Sequence, residues 1–173
     1  MAENISFTRD ASRATIYSEI APQISAIIDG EPDLIANLAN TAAILKQALN
    51  FYWVGFYLAR DGELVLGPFQ GPLACTRIAF DRGVCGHCYT GKKTVIVPDV
   101  NEFPGHIACS TQSKSEIVVP LFDPDGRIVG VLDVDSDRLD DFNETDKTGL
   151  EEIARRLAVA FLPDRVEIAG RAG

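Results

Sequence analysis

Residues Phe51 to Gly71 read FYWVGFYLARDGELVLGPFQG. Phe51 to Arg60 is an apolar run rich in aromatic residues, and a second apolar run, LVLGPFQG, follows Glu63. Between them stands Asp61-Gly62-Glu63, and Asp-Gly takes readily the positive φ that a tight hairpin turn demands. The stretch therefore predicts two antiparallel strands. Upstream the period is helical. Ile16, Ile20, Ile24, Ile27 and Ile28 predict one helix, which Pro22 should kink or divide. Leu34, Leu38, Ala42, Leu45 and Leu49 predict a second, with Pro32 in its first turn.

Downstream of the hairpin, CTRIAF is a candidate third strand, and Gly83 to Lys92, GVCGHCYTGK, a short helix with glycines at both ends. KTVIVPDV is a strand stopped by Pro98, and a long polar loop runs from Asn101 to Ser115. EIVVPLF and RIVGVLDVDS are strands joined by a DPDG turn. A last helix starts near Asn143, with Asp146 placed as a cap partner and Leu150, Ile153, Leu157 and Phe161 on one face. The tail PDRVEIAGRAG should fray. No internal repeat or interdomain linker interrupts the order. The expectation is an α+β layer structure in a single domain over residues 1–173, with helices in 1–50, a sheet and a functional loop in 51–136, and a closing helix in 143–162.

A chain of 173 residues fits one domain with a sizeable core. The net charge of −9, without a basic stripe, argues against nucleic acid and anionic membranes as partners. No apolar run approaches bilayer length, and the N-terminus has scattered charges instead of a signal-peptide core. A cytoplasmic protein is expected.

All four cysteines, Cys75, Cys85, Cys88 and Cys109, fall within one short stretch of the chain. In a reducing compartment they are core fillers, metal ligands or redox groups. Cys109 lies in GHIACSTQSKSE, a polar setting where His106 or a backbone dipole could lower its pKa, and a reactive and a structural role both fit. Cys85-Gly-His-Cys88 is a C-x-x-C. It lacks the strand–helix context of a thioredoxin-like pair. A zinc site would have to recruit Cys75 and Cys109, with His87 and His106 in reserve, at spacings unlike common zinc modules.

Glu116 opens an apolar strand, and Asp133 and Asp135 share one face of another. Two readings stand. The pair lines a pocket and each acid raises the other's pKa, or it forms the solvent face of an edge strand while Leu132 and Val134 point inward. Trp53 and Tyr57 also share a face, as core packing or as the wall of a pocket for a small apolar group.

GPLACTRIAFDRGVCG (Gly71 to Gly86), PDVNEFPGHIACSTQSKSEIVVP (Pro98 to Pro120) and GVLDVDS (Gly130 to Ser136) together resemble the free methionine-(R)-sulfoxide reductases, single-domain proteins of the GAF fold. The resemblance runs from about Trp53 to the final helix. It implies a six-stranded antiparallel sheet flanked by N-terminal and C-terminal helices, a homodimer, and reduction of the free R epimer. It assigns Cys109 as nucleophile, Cys75 as resolving partner and Cys85 as auxiliary thiol. It makes Glu116, Asp133 and Asp135 the acids that protonate the leaving oxygen and receive the substrate ammonium, and Trp53 and Tyr57 the pocket wall. The Cys109 sulfenic acid condenses with Cys75, and thioredoxin restores both thiols. No cofactor or metal is implied. Cys88 stands outside the family's three-cysteine pattern and reads as a passive helix residue or a side partner of Cys85. Two other classes remain: a GAF module that senses a small molecule without catalysis, and a zinc-stabilised structural protein.

Overall fold

The computed structural model describes residues 4–105 and 112–162. His106 and Cys109 lie outside the described residues, as does the tail expected to fray. Helix α1 runs Arg13–Gly30, its N-terminus capped by Ser12, whose side chain accepts from the Thr15 amide. Pro22 does not divide it. Pro22 and Ser18 are both exposed, so the carbonyl that loses its helical partner at Pro22 faces water, which satisfies it. Helix α2 runs Leu34–Leu49 and is capped by Asp33, which places Pro32 just before the helix and not in its first turn.

Strands β1 (Trp53–Arg60) and β2 (Glu63–Gln70) pair antiparallel, with Arg60 opposite Glu63. Asp61 and Gly62 carry the turn at φ 51° and 87°, the positive values a tight hairpin requires. Strand β3 (Arg77–Ala79) follows, then helix α3 (Gly83–Gly91), which ends on a left-handed Lys92 instead of a glycine. Strand β4 is Val95–Val97, β5 is Ser115–Phe122 and β6 is Ile128–Ser136. Helix α4 (Glu144–Leu157) starts on the capping box of Asn143 and Asp146 that its sequence announces.

Among the described residues the strands form one six-stranded antiparallel sheet in the order β3-β2-β1-β6-β5-β4. Val54, Phe56 and Leu58 of β1, Leu132 and Val134 of β6, and Ile117, Val119 and Leu121 of β5 pack against α1, α2 and α4 in the main core. The opposite face is buried as well. There Trp53, Tyr57, Val118 and Val131 meet Ile78, Val84, Cys85 and Cys88 in a second cluster under α3. Strand β6 is therefore central and covered on both sides. The edge-strand reading of Asp133 and Asp135 fails for that reason, while Leu132 and Val134 do face the main core.

Candidate active site

The site is written in the register of three neighbouring strands. Trp53 of β1 pairs with Asp135 of β6, which pairs with Glu116 of β5. One step along, Gly55 pairs with Asp133, which pairs with Val118. Directly opposed residues share a face, so the three acids gather on the side that α3 covers. Cys85 reaches the same place from the first turn of α3. Its thiol, a Glu116 oxygen and an Asp133 oxygen all lie within 4.8 Å of one another.

Two glycines make the floor possible. A Cβ on Gly55 would lie 2.5 Å from the Trp53 ring and 2.4 Å from Phe69. Gly71, at φ +143°, would bring a Cβ within 2.5 Å of the same indole. The Trp53 ring fills that space, stacked on Phe69 at 5.4 Å and on Tyr57 at 6.1 Å.

The polar tips of the two pocket aromatics reach the same loop. Trp53 Nε1 donates to the Pro72 carbonyl at 3.1 Å, and the Tyr57 hydroxyl donates to the Cys75 carbonyl at 2.9 Å. This loop carries Leu73 and Ala74, which line the cavity, and Cys75, which is disulfide-bonded. Cys85 and Cys88 are free, buried thiols. Cys88 donates its S–H to the Val118 carbonyl at 3.4 Å, so its sulfur is turned to the sheet backbone.

Burial governs the electrostatics. It pushes the Glu116 carboxyl well above the usual range, and the charges of Asp133 and Asp135 push it further. Asp135 is raised by burial and then by Asp133, against a hydrogen bond with Ser113 that favours its charged form. Asp133 rises to about 7 through burial, held back by hydrogen bonding to Cys85 and Glu116 and to the Val134 backbone. The Cys85 thiol is raised by burial and by the two nearest acids. A cluster of this kind keeps protons near neutral pH and can donate them, the behaviour of a general acid. It leaves Cys85 a poor nucleophile, because the thiolate is the reactive form.

The cavity bounded by Trp53, Tyr57, Cys85, Glu116, Asp133 and Asp135 has a volume of about 40 Å³. That accommodates a few water molecules or one ion, and it is far below the roughly 300–1,000 Å³ of a site enclosing an organic ligand. The structure thus brings six of the expected site residues to one cavity and Cys75 to the loop at its edge. Cys109, the expected nucleophile, is outside the described residues. Residues beyond the expected set line the same cavity as well, among them Tyr52, Leu73 and Ser113. Ser113 sits among several hydroxyl residues in STQSKS, so nothing in the sequence singles it out.

The family model that matches the chain is the GAF domain, over residues 33–161. GAF domain-containing protein A of Dictyostelium discoideum is 54% identical over 158 residues, 91% of this chain and 99% of that protein. The free methionine-R-sulfoxide reductase of Escherichia coli strain K12 is 42% identical over 147 residues, 84% of this chain and 88% of that protein. A solved structure of free methionine-R-sulfoxide reductase from Neisseria meningitidis, in complex with its substrate, superposes with a TM-score of 0.90 at 51% identity, covering 97% of this chain and 99% of that one.

Proposed function

This chain belongs to the free methionine-R-sulfoxide reductases of the GAF-domain family, and from that premise we propose that it reduces free L-methionine-(R)-sulfoxide through a sulfenic acid on Cys109. The observation that carries the reading is the proton-rich cavity of Glu116, Asp133 and Asp135 beside a loop whose cysteine, Cys75, is already oxidised to a disulfide. Sulfoxide reduction needs those two things together: an acid for the departing oxygen and a thiol pair to take up the oxidation.

The Cys109 thiolate attacks at the sulfoxide while a protonated acid of the cluster donates to the sulfoxide oxygen. The oxygen passes to sulfur, methionine leaves, and Cys109 is left as a sulfenic acid. The Cys75 thiol condenses with it, giving the Cys75–Cys109 disulfide and water. That Cys85 and Cys88 are both free thiols while Cys75 is bonded supports this pairing. A thioredoxin dithiol then exchanges with the disulfide and returns both thiols, itself becoming oxidised. Trp53 and Tyr57 face the substrate methyl group, and the acids left ionised receive its ammonium. Selectivity for the R epimer and for the free amino acid, a homodimer and a cytoplasmic setting belong to the same proposal. No described helix is long and apolar enough to cross a membrane.

The small cavity fits the oxidised stage of the cycle, after methionine has gone. The test is consumption of the R and S epimers by wild type and Cys109→Ser, with thioredoxin, its reductase and NADPH supplied. R-specific turnover that disappears in Cys109→Ser is expected. No turnover of either epimer, with a small dithiol as alternative donor, would leave a ligand-sensing module as the better account.

A further inference from the structure

We propose that Cys85, Glu116 and Asp133 form a binding site for one divalent transition-metal ion of the Zn²⁺ class, and that the ion occupies the cavity in competition with substrate. The ion site itself does not rest on the reductase reading; only its competition with substrate does. Three observations carry it. The donor atoms of the three side chains lie within 4.8 Å of one another. At metal–sulfur and metal–oxygen distances of about 2.3 and 2.1 Å, tetrahedral donors stand roughly 3.4–3.6 Å apart, so small side-chain movements close the gap. All three residues are buried, and Asp133 Oδ1 has no hydrogen-bond partner although Asp133 is only 7% exposed. A buried acceptor without a partner is costly, and a cation would satisfy it. The cavity these donors line holds about 40 Å³, room for an ion with a bound water and not for an organic ligand.

The donor set chooses the ion. One thiolate with two carboxylates suits Zn²⁺ or Co²⁺, whereas Mg²⁺ and Ca²⁺ want oxygen alone. Asp135, on the same cavity, or a water completes four-coordination. A divalent charge would also offset the mutual repulsion of the acids, as a substrate ammonium would do less completely. Metal and substrate therefore exclude one another.

The probe is Co²⁺ added to the oxidised protein, in which Cys75 is bonded and Cys85 and Cys88 are the thiols left free. Expected is binding of one Co²⁺ per chain with a thiolate-to-metal charge-transfer band in the near ultraviolet. Zn²⁺ should abolish the band by displacement and an excess of Mg²⁺ should not. The band should vanish in Cys85→Ser. Asp133→Asn and Glu116→Gln, which keep side-chain shape, should each weaken binding by at least the roughly 10–100-fold that losing an outer partner of a metal ligand costs. Circular dichroism and melting curves show whether each variant is folded, and the two amide variants keep the test decisive if Cys85→Ser is not. No band at stoichiometric Co²⁺, a band that survives in Cys85→Ser, unchanged affinity in both amide variants, or displacement by Mg²⁺ would overturn the proposal.

Discussion

Asp133 illustrates how a single side chain can work against the fold that holds it. In the unfolded chain it titrates near 3.8, and burial carries it to about 7 in the fold. Between those values the folded state binds more protons than the unfolded state, so stability falls as pH rises through that window. Asp133→Asn removes the buried charge. We expect it to be more stable than wild type above pH 7, by about 2–4 kcal/mol, with the gain fading toward pH 4; denaturant midpoints across pH check this. Turnover should move the other way. An amide cannot donate a carboxyl proton, and loss of a general acid costs about 10²–10⁴-fold in rate. The wild-type kcat/KM should fall above pH 7 as the cluster loses protons, and the part of this arm that Asp133 sets should be lost in Asp133→Asn.

Tyr57 makes a second prediction at the same scale. Its hydroxyl holds the Cys75 carbonyl at 2.9 Å, which makes it a positioning residue for the disulfide loop as well as a wall of the cavity. Tyr57→Phe keeps the wall and loses the tether, a hydrogen bond of about 1 kcal/mol. Formation of methionine in a single turnover should survive, while steady-state turnover with thioredoxin drops several-fold. Equal loss in both assays would show that the hydroxyl serves the substrate step instead.

Among elements, α3 is the one whose placement decides the chemistry. It is a short helix on the second face of the sheet, and Gly86 lets it approach. A Cβ there would lie 2.8 Å from the Ala79 carbonyl and 2.9 Å from the Phe80 carbonyl, both backbone atoms that cannot swing away. Gly86→Ala should destabilise the protein by about 1–3 kcal/mol and push Cys85 outward from the acids. Faster alkylation of Cys85 at a lowered Tm would bear this out, and an unchanged Tm would show that the helix shifts freely.

The elements were largely legible from the sequence. Asp61-Gly62 announced the hairpin, Asn143 with Asp146 the last helix, and the apolar periods α1 and α2. What the sequence could not show is the order of strands. Leu132 and Val134 alternate with Asp133 and Asp135 in β6, and that alternation fits a half-exposed edge as well as a central strand whose second face hides a polar cavity. Only the pairing of β6 with both β1 and β5 decides. Pro22 misled for a related reason, because its cost depends on whether the freed carbonyl meets water. Cys85 was legible as one of a cysteine pair, but its place beside two carboxylates depends on α3 folding back over the sheet. Nor did Trp53 and Tyr57, read as a wall, announce that their polar tips hold the loop of Cys75.

Over the whole molecule, a partly buried polar network ties the helical layer to β6, the strand that carries Asp133 and Asp135. Arg13 of α1 donates to Asp146 of α4 at 3.0 Å and to Asp141 at 3.1 Å. The Tyr17 hydroxyl donates to Asp146 as well, at 3.0 Å. Ser136, next to Asp135 in β6, donates to Asp141 at 2.6 Å. Arg13 lies over Phe51 and Phe142 with its cation near both rings. Removing the cation leaves the fully buried Asp146 without a counter-charge, while Asp141 keeps Arg138 at 2.8 Å. Arg13→Ala should therefore cost about 3–5 kcal/mol of stability, as does breaking a buried pair from one side. Denaturant unfolding measures it, and a loss below 1 kcal/mol would show that the network is solvated.

The central claim is that oxidation enters at Cys109 and is passed to Cys75. The most direct measurement is a single turnover of fully reduced protein with one equivalent of methionine-(R)-sulfoxide and no added reductant, followed by alkylation and peptide mapping. The account predicts one methionine formed per chain, two thiols lost, a peptide linking Cys75 to Cys109, and alkylated Cys85 and Cys88. No methionine, or methionine formed alongside a Cys85–Cys88 link with Cys75 and Cys109 both free, would contradict it.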